Sequence, residues 1–279
     1  MWKVYPKNAN VNSLMLDIWK ETADIRFGCV DRSDRLTLAS VFEFFQEAAI
    51  CHAADLGVGR DDLAQSGQAW VLSRLSLFIE RRAAYGETVE VSTWPRRSEK
   101  LFALRDYEIK DAQGKAIVRG RGSWLVLDTE KRRPLRPQQM VDALPHNTGR
   151  DAFPAGPLGL DPREGLVKFA ERSAQYSDID FYGHANNARY IQWIQDVTDM
   201  EILTKALQIR LDINYLSEVM PGDTVELWTA AITDAVPDGT EAEIQKRDYP
   251  SLPGPSFAYE GKRPDSGQAV FRAELRTGG

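Results

Sequence analysis

Arg74-Leu-Ser-Leu-Phe-Ile79 followed by Tyr85-Gly-Glu-Thr-Val-Glu90 returns later in the chain as Arg210-Leu-Asp-Ile-Asn-Tyr215 followed by Pro221-Gly-Asp-Thr-Val-Glu226. The spacing between the copies is 136 residues in both parts. Each copy reads as a strand, a glycine turn and a second strand. Upstream, Gln46-Glu47 within one helical pattern matches Gln195-Asp196 within another, 149 residues on. The 13-residue difference fits a longer helix-to-strand loop in the first copy. A helix followed by several antiparallel strands, occurring twice, has a simple physical solution. Each apolar helix is wrapped by a curved sheet, and the two sheets join edge to edge so that neither leaves that edge open. The expected class is therefore α+β, with two tandem helix-plus-antiparallel-sheet repeats.

Working outward, Leu38, Val41, Phe42 and Phe45 recur at helical spacing behind Thr37, a suitable N-cap, and the pattern runs on towards Gly57. Trp70 to Glu80 and Glu87 to Trp94 are rich in β-formers, the second expected to stop at Pro95. Residues 101–110 and 115–127 predict a hairpin around Asp111-Ala-Gln-Gly114. In the second copy Tyr190, Trp193, Ile194 and Val197 mark one buried helical stripe, with Asn186 or Asn187 as its cap. Between the copies lie Pro134, Pro137, Pro145, Pro154, Pro157 and Pro162, with little periodicity. This divides the chain into a first unit at 1–130, a proline-rich linker at 131–165 and a second unit at 166–279, with 1 to about 20 a separate extension.

Composition narrows the function. The 279 residues are 43% hydrophobic and 27% charged, as in an ordinary soluble globular protein, and the net charge of −6 argues against a general nucleic-acid binder. Cys29 and Cys51 are the only cysteines, which fits a reducing compartment without a disulfide framework. The N-terminus has no signal-peptide core and no apolar run reaches the length of a membrane span, so a cytoplasmic protein is expected. Three dispersed histidines suggest no metal site, and the absence of Gly-x-Ser-x-Gly argues against an α/β-hydrolase. Cys51 and His52 are adjacent on a helix and point apart, so they are not a nucleophile–base pair, and His146 is expected in solvent.

The chemistry concentrates in Ser177-Asp-Ile-Asp-Phe-Tyr-Gly-His-Ala-Asn-Asn-Ala-Arg-Tyr-Ile-Gln-Trp193. Asp180 and His184 occupy a glycine-containing loop at the start of the second helix, where free amides suit an anion or a polarised carbonyl oxygen. This pattern resembles the signature of hotdog-fold thioesterases. Further matches at Gly67-Gln-Ala-Trp-Val-Leu-Ser-Arg74, Thr93-Trp-Pro95, Arg105-Asp-Tyr107, Gly122-Ser-Trp124 and Arg132-Arg-Pro134 make the chain from about Asp24 to Glu274 similar to the acyl-acyl-carrier-protein thioesterases, the plant plastidial enzymes and their bacterial relatives.

The resemblance implies a double hotdog and hydrolysis of acyl-acyl carrier protein to free fatty acid, ending chain elongation without a cofactor. The family's catalytic Asp, His and Glu fall on Asp180, His184 and Glu218, while its Asn position is Tyr182, a departure. The Gly-His context at 183–184 looks instead like the acyl-CoA branch of the superfamily. Glu218 is a candidate general base or nucleophile, and an amide near Asn186 to Ala188 a candidate oxyanion donor. Its counterpart in the first copy is Arg82, so the two copies have diverged there. The acyl chain is expected in the first unit around Phe42, Phe45, Ala49 and the Trp70 strand. An acidic carrier would need a basic face, from Arg96, Arg97 and Lys100 or from Lys131, Arg132, Arg133 and Arg136. Competing functions are an acyl-CoA thioesterase, a hotdog dehydratase or hydratase, and a non-catalytic acyl-binding module. Either a monomer or a homodimer is compatible with two hotdogs in one chain.

Overall fold

The structure is a computed structural model that describes residues 17–136, 140–141, 144–154, 156–232 and 252–279. Residues 1–16, most of the expected extension, lie outside these. The first repeat contains strand β1 (Trp19–Asp24), helix α1 (Leu38–Asp55), short helix α2 (Arg60–Ala64) and strands β2 (Gln68–Ile79), β3 (Thr88–Glu99), β4 (Phe102–Lys110), β5 (Ala116–Asp128) and β6 (Arg133–Leu135). The second contains β7 (Val167–Ser173), α3 (Asn187–Val197), α4 (Met200–Lys205), β8 (Gln208–Tyr215), β9 (Thr224–Ala231), β10 (Ser256–Lys262) and β11 (Ala269–Gly278).

All these strands form one antiparallel sheet in the order β1-β3-β4-β5-β2-β8-β11-β10-β9-β7, with β6 added beside β5. The order is symmetric about the β2–β8 pair. There Ser76 faces Asp212, and those two residues are themselves equivalent under the 136-residue repeat. A local two-fold therefore passes between them, and the Ser76 hydroxyl donates to the Asp212 carboxylate across it. The repeat extends to detail. The caps Thr37 and Asn186 are 149 residues apart, and the turn glycines Gly86 and Gly222, with φ of +81° and +84°, are 136 apart.

Each helix forms for local reasons and is then held by packing. Thr37 caps α1 by accepting from the Ser40 amide at 3.1 Å, and Phe42 and Phe45 lie in the core. The Phe45 ring stacks on Tyr107 with centroids 4.7 Å apart. A Cβ on Gly120 would come within 2.8 Å of that ring, so glycine is what lets the helix lie close on the sheet. The helices also meet: the Ala39 amide donates to the Gln195 side chain at 2.9 Å. Phe45, Leu77, Ile191, Ile194, Leu211 and Phe271 belong to one continuous core spanning both repeats.

Three expectations need correction. β3 does not stop at Pro95 but runs to Glu99. β1 pairs β3 only from Thr88 to Thr93, and the β3–β4 register shifts after Pro95. Proline thus sits where one flank is unpaired and its missing N–H is not needed. The edge strands β1 and β7 were not legible because edge strands are largely exposed and carry a weak apolar signal. The short helix α2 lies in what was read as a loop.

The segment before β7 is anchored to the first sheet through charge. Asp106, with no exposed surface, takes Arg121 Nη2 at 2.7 Å and the Ala152 amide at 2.9 Å, while Arg121 also reaches Asp151 at 2.8 Å. Replacing Arg121 by Met leaves a buried carboxylate without its main partner. The expected cost is ~3–5 kcal/mol, read as a lower urea midpoint at unchanged slope.

Candidate active site

The signature loop is built by backbone hydrogen bonds. Ile179 bridges to Ala185, the Asp180 amide donates to the His184 carbonyl at 3.0 Å, and the Gly183 amide donates to the Asp180 carbonyl at 3.0 Å. Gly183 has φ of +86°, a left-handed turn that only glycine adopts without strain. The Asp180 side chain fastens this turn. One oxygen accepts the Tyr182 amide at 2.8 Å and the other accepts from the Asn186 side-chain nitrogen at 3.4 Å. Asn186 in turn caps α3, accepting the Ala188 amide at 2.9 Å.

The three amides considered as oxyanion donors have different fates. Asn186 N–H is taken by the Asp178 carbonyl and Ala188 N–H by the cap. The Asn187 N–H, at the first position of α3, has no acceptor among the described residues. It is therefore one of the helix's unsatisfied first-turn donors, at the positive end of the helix.

Glu218 arrives from the loop between β8 and β9. The Ala185 amide donates to the Val219 carbonyl at 2.8 Å, so His184 and Glu218 each flank one end of the same hydrogen bond. Arg263 clamps this loop from the β10–β11 turn, donating to the Glu218 carbonyl at 2.7 Å and to Asp223 at 2.9 Å. Burial pushes the Tyr190 hydroxyl up, and the Glu218 and Asp180 carboxylates add to it. The Glu218 carboxylate meets Arg132 Nη2 at 2.8 Å, a pair that stays solvent-exposed. The His184 ring makes no hydrogen bond among the described residues. It lies parallel to Tyr182, with centroids 6.0 Å apart and planes 7° apart. Arg60 of α2 sits 4.7 Å over the neighbouring Phe181 ring, bringing the first repeat to the same mouth. Among the described residues no group of three His, Cys, Asp or Glu side chains is gathered as a metal would require.

Comparison with known proteins supplies the family. The model of the acyl-ACP thioesterase N-terminal domain matches residues 17–143, and that of the acyl-ACP thioesterase C-terminal domain matches residues 165–250. The chain belongs to the acyl-ACP thioesterase family. A chloroplastic acyl-[acyl-carrier-protein] hydrolase of Cuphea viscosissima is 25% identical over 233 residues, covering 76% of this chain and 55% of the relative. A chloroplastic oleoyl-acyl carrier protein thioesterase of Arabidopsis thaliana is 27% identical over 240 residues, covering 77% and 63%. The chain thus spans about half to two-thirds of the length of these plant relatives. An acyl-ACP thioesterase structure from Bacteroides thetaiotaomicron superposes with a TM-score of 0.73 at 25% identity, covering 93% of this chain and 97% of that one. The 12:0-ACP thioesterase of Umbellularia californica, at 19% identity, shares the fold with a TM-score of 0.75 over 94% of each chain.

Within this thioesterase fold the first repeat holds a copy of the same loop. Asp31, Ser33 and Arg35 stand 149 residues before Asp180, Tyr182 and His184. The Ser33 amide donates to Asp31 Oδ1 at 2.8 Å and the Leu36 amide to the Ala83 carbonyl at 2.8 Å, both as in the second repeat. Arg82 holds the place of Glu218 and closes the copy, reaching Asp31 at 2.6 Å, Ser33 Oγ at 3.2 Å and the Thr204 carbonyl at 3.3 Å. Burial raises the Asp31 carboxyl, but the hydrogen bonds from Ser33 and Arg82 outweigh it and hold the group below its ordinary value. Sequence reasoning found Arg82 and missed Asp31 and Ser33. The signal was available, since the same 149-residue offset that aligned the helices also aligns the loops.

The remaining candidates separate cleanly. Arg96 is mostly buried and spent on the Arg150 carbonyl and Asp151, both at 2.8 Å, so the Arg96–Lys100 group is a weaker basic face than its composition suggested. Lys131, Arg132, Arg133 and Arg136 are all exposed. Trp70 donates to the Val58 carbonyl at 2.8 Å. Burial and the Glu47 and Glu21 carboxylates push the Cys51 thiol up to about 12, so it is no nucleophile near neutral pH. His52 turns to Arg105 instead, at 3.1 Å, and His146 is exposed.

Replacing Asn186 by Ala removes both the helix cap and the Asp180 contact. A stability loss of ~1 kcal/mol is expected in urea unfolding, whereas Asn187→Ala, which leaves both contacts in place, is expected to stay within ~0.5 kcal/mol of wild type.

Proposed function

We propose that this protein hydrolyses the thioester of an acyl-acyl carrier protein, releasing a free fatty acid and the carrier thiol and so ending chain elongation. The observation that carries this reading is the bond from the Ala185 amide to the Val219 carbonyl, which ties the backbone next to His184 to the backbone next to Glu218, two residues before the first amide of α3. Family membership and the similarity to a plant acyl-[acyl-carrier-protein] hydrolase support it.

In the proposed mechanism Glu218 takes a proton from a water molecule whose oxygen attacks the thioester carbonyl carbon. The Asn187 N–H receives the developing oxyanion at the positive end of α3. His184, whose ring nitrogens have no hydrogen-bond partner among the described residues, orients the water or the thioester. The C–S bond breaks, and the proton held by Glu218 passes to the leaving thiolate. Asp180 acts by fixing the loop and cap rather than by touching the substrate. Tyr182, in the family's Asn position, supports His184 through its flat ring. Burial pushes its hydroxyl up, with help from the Asp180 and Asp61 carboxylates and opposition from Arg60, so it stays protonated at neutral pH.

The first repeat is proposed to hold the acyl chain beside α1 and the second to carry the chemistry, with Lys131, Arg132, Arg133 and Arg136 facing an acidic carrier. Phe42 and Phe45 are tightly packed here, so chain entry at that place requires their side chains to move. Two free cysteines support a reducing, cytoplasmic setting, and no helix among the described residues is long and apolar enough to cross a membrane. A single chain supplies both repeats, so a monomer suffices.

The test is thiol release from acyl-carrier substrates of increasing chain length, with the same acyl groups on coenzyme A in parallel. Glu218→Ala and His184→Ala are each expected to lower turnover at least ~100-fold. Equal turnover on both carriers would move the assignment to a general acyl-CoA thioesterase, which the Gly183-His184 context favours. Hydration of an enoyl thioester in its place would move it to a hydratase.

Tyr182→Phe keeps the ring and removes a hydroxyl that does not ionise near neutrality. Its pH–rate profile is expected to match wild type between about pH 6 and about pH 9, while Tyr182→Ala lowers turnover throughout. A basic limb that disappears in the Phe variant would assign the hydroxyl itself a proton-transfer role.

A further inference from the structure

The Arg132–Glu218 pair joins the two repeats across the mouth of the site, and it differs from every other contact of that loop. Arg263 is committed twice, to the Glu218 carbonyl and to Asp223. Arg60 sits over Phe181 and pairs with its neighbour Asp61. Arg132 has one ion-pair partner among the described residues, the Glu218 carboxylate. Its side chain is 77% exposed and that of Glu218 41%. A solvated pair of this kind is weak and exchangeable.

The backbone presents Arg132 deliberately. Its φ is +50°, a left-handed conformation that a non-glycine residue rarely adopts. The turn that imposes it is well fixed. Asp128 Oδ1 accepts the Glu130 and Lys131 amides at 3.1 and 2.9 Å, and Thr129 donates to the Gly67 carbonyl at 2.9 Å. Lys131, Arg133 and Arg136 are exposed on either side of it. The first repeat shows the contrasting design, where Arg82 and Asp31 are largely buried and held by several bonds.

We propose that Arg132 is a carrier-responsive positioning residue. In the free protein it occupies the Glu218 carboxylate. When an acidic carrier docks on the basic ridge of residues 131–136, Arg132 transfers to an anionic group of that carrier and leaves Glu218 free to accept the proton of water. This rests on the reading of Glu218 as the acting base. It deepens that reading by coupling hydrolysis to the carrier as well as to the thioester. A partner drives such an exchange only if it binds the released state better, and the guanidinium's planar fork makes phosphate and carboxylate groups suitable acceptors.

The experiment compares one acyl group as a carrier-linked thioester and as a short, uncharged N-acetylcysteamine thioester, using wild type, Arg132→Gln, Arg132→Lys and Glu218→Gln. On the uncharged substrate, Arg132→Gln is expected to raise kcat about threefold to tenfold, because the carboxylate is no longer occupied. Added salt is expected to raise wild-type kcat on that substrate by screening the pair and to leave Arg132→Gln unchanged. On the carrier-linked substrate, Arg132→Gln is expected to raise KM, with partial rescue by Arg132→Lys. An Arg132→Gln variant that loses the same factor on both substrates, or a wild-type salt response that persists in it, overturns the clamp. Glu218→Gln separates the two readings. If it abolishes turnover while Arg132→Gln changes nothing, the clamp falls and the base assignment stands. If it leaves turnover intact, the base assignment falls and takes the clamp with it.

Discussion

The β2–β8 ladder is the constraint on which the rest of the molecule depends. Each repeat alone would be a curved sheet with an open edge and a helix covered on one side. Pairing those edges antiparallel joins the sheets and brings α1 beside α3, so that one core fills the space between them. The register also fixes the symmetry. Ser76 faces its own repeat counterpart Asp212, so every loop of one repeat has a position in the other related by the same local two-fold. The mouth of the candidate site follows from this, because α2 and the β5–β6 turn of the first repeat are carried over the signature loop of the second.

The two copies of that loop share a backbone and differ in chemistry. The same amide-to-carboxylate turn occurs at Asp31 and at Asp180, and the same amide-to-carbonyl bond links each loop to the next strand connection. What distinguishes them is the residue delivered by that connection. Arg82 neutralises Asp31 and fills the first copy with a buried ion pair. Glu218 leaves the second copy rich in acceptors, with an imidazole and a first-turn helix amide nearby that have no hydrogen-bond partner among the described residues. Such a division lets one loop serve stability and the other remain open to a ligand.

Much of the fold was legible because the repeat is written in local signals. Thr37 and Asn186 as caps, Gly86 and Gly222 as left-handed turns, and the alternation of β2 and β8 each report their own backbone geometry. The strands at the sheet's ends were not legible, since an edge strand with little to bury has no strong apolar period. Pro95 was misread for a related reason: a proline ends a strand only if its N–H position faces a partner, and that depends on how far β1 extends. The candidate residues Asp180, His184 and Glu218 were legible through spacing and resemblance. The basic groups were not equally so, because charge composition does not distinguish the buried, multiply bonded Arg96 from the exposed Arg132.

The sequence by itself determined the two repeats, their helices and turns, the family they belong to, and which loop carries the unusual concentration of polar groups. These follow from periodicity, capping and left-handed glycines, which act over a few residues. Only the tertiary structure decided which charges meet. Asp180 is a loop fastener because Asn186 and the Tyr182 amide converge on it. Of the three amides at the start of α3, those of Asn186 and Ala188 are bonded, and that of Asn187 has no acceptor among the described residues. Arg132 meets Glu218 across 86 residues of chain because the β2–β8 ladder folds one repeat against the other. Contacts between distant segments depend on register and sheet order, and no local pattern in the chain encodes them.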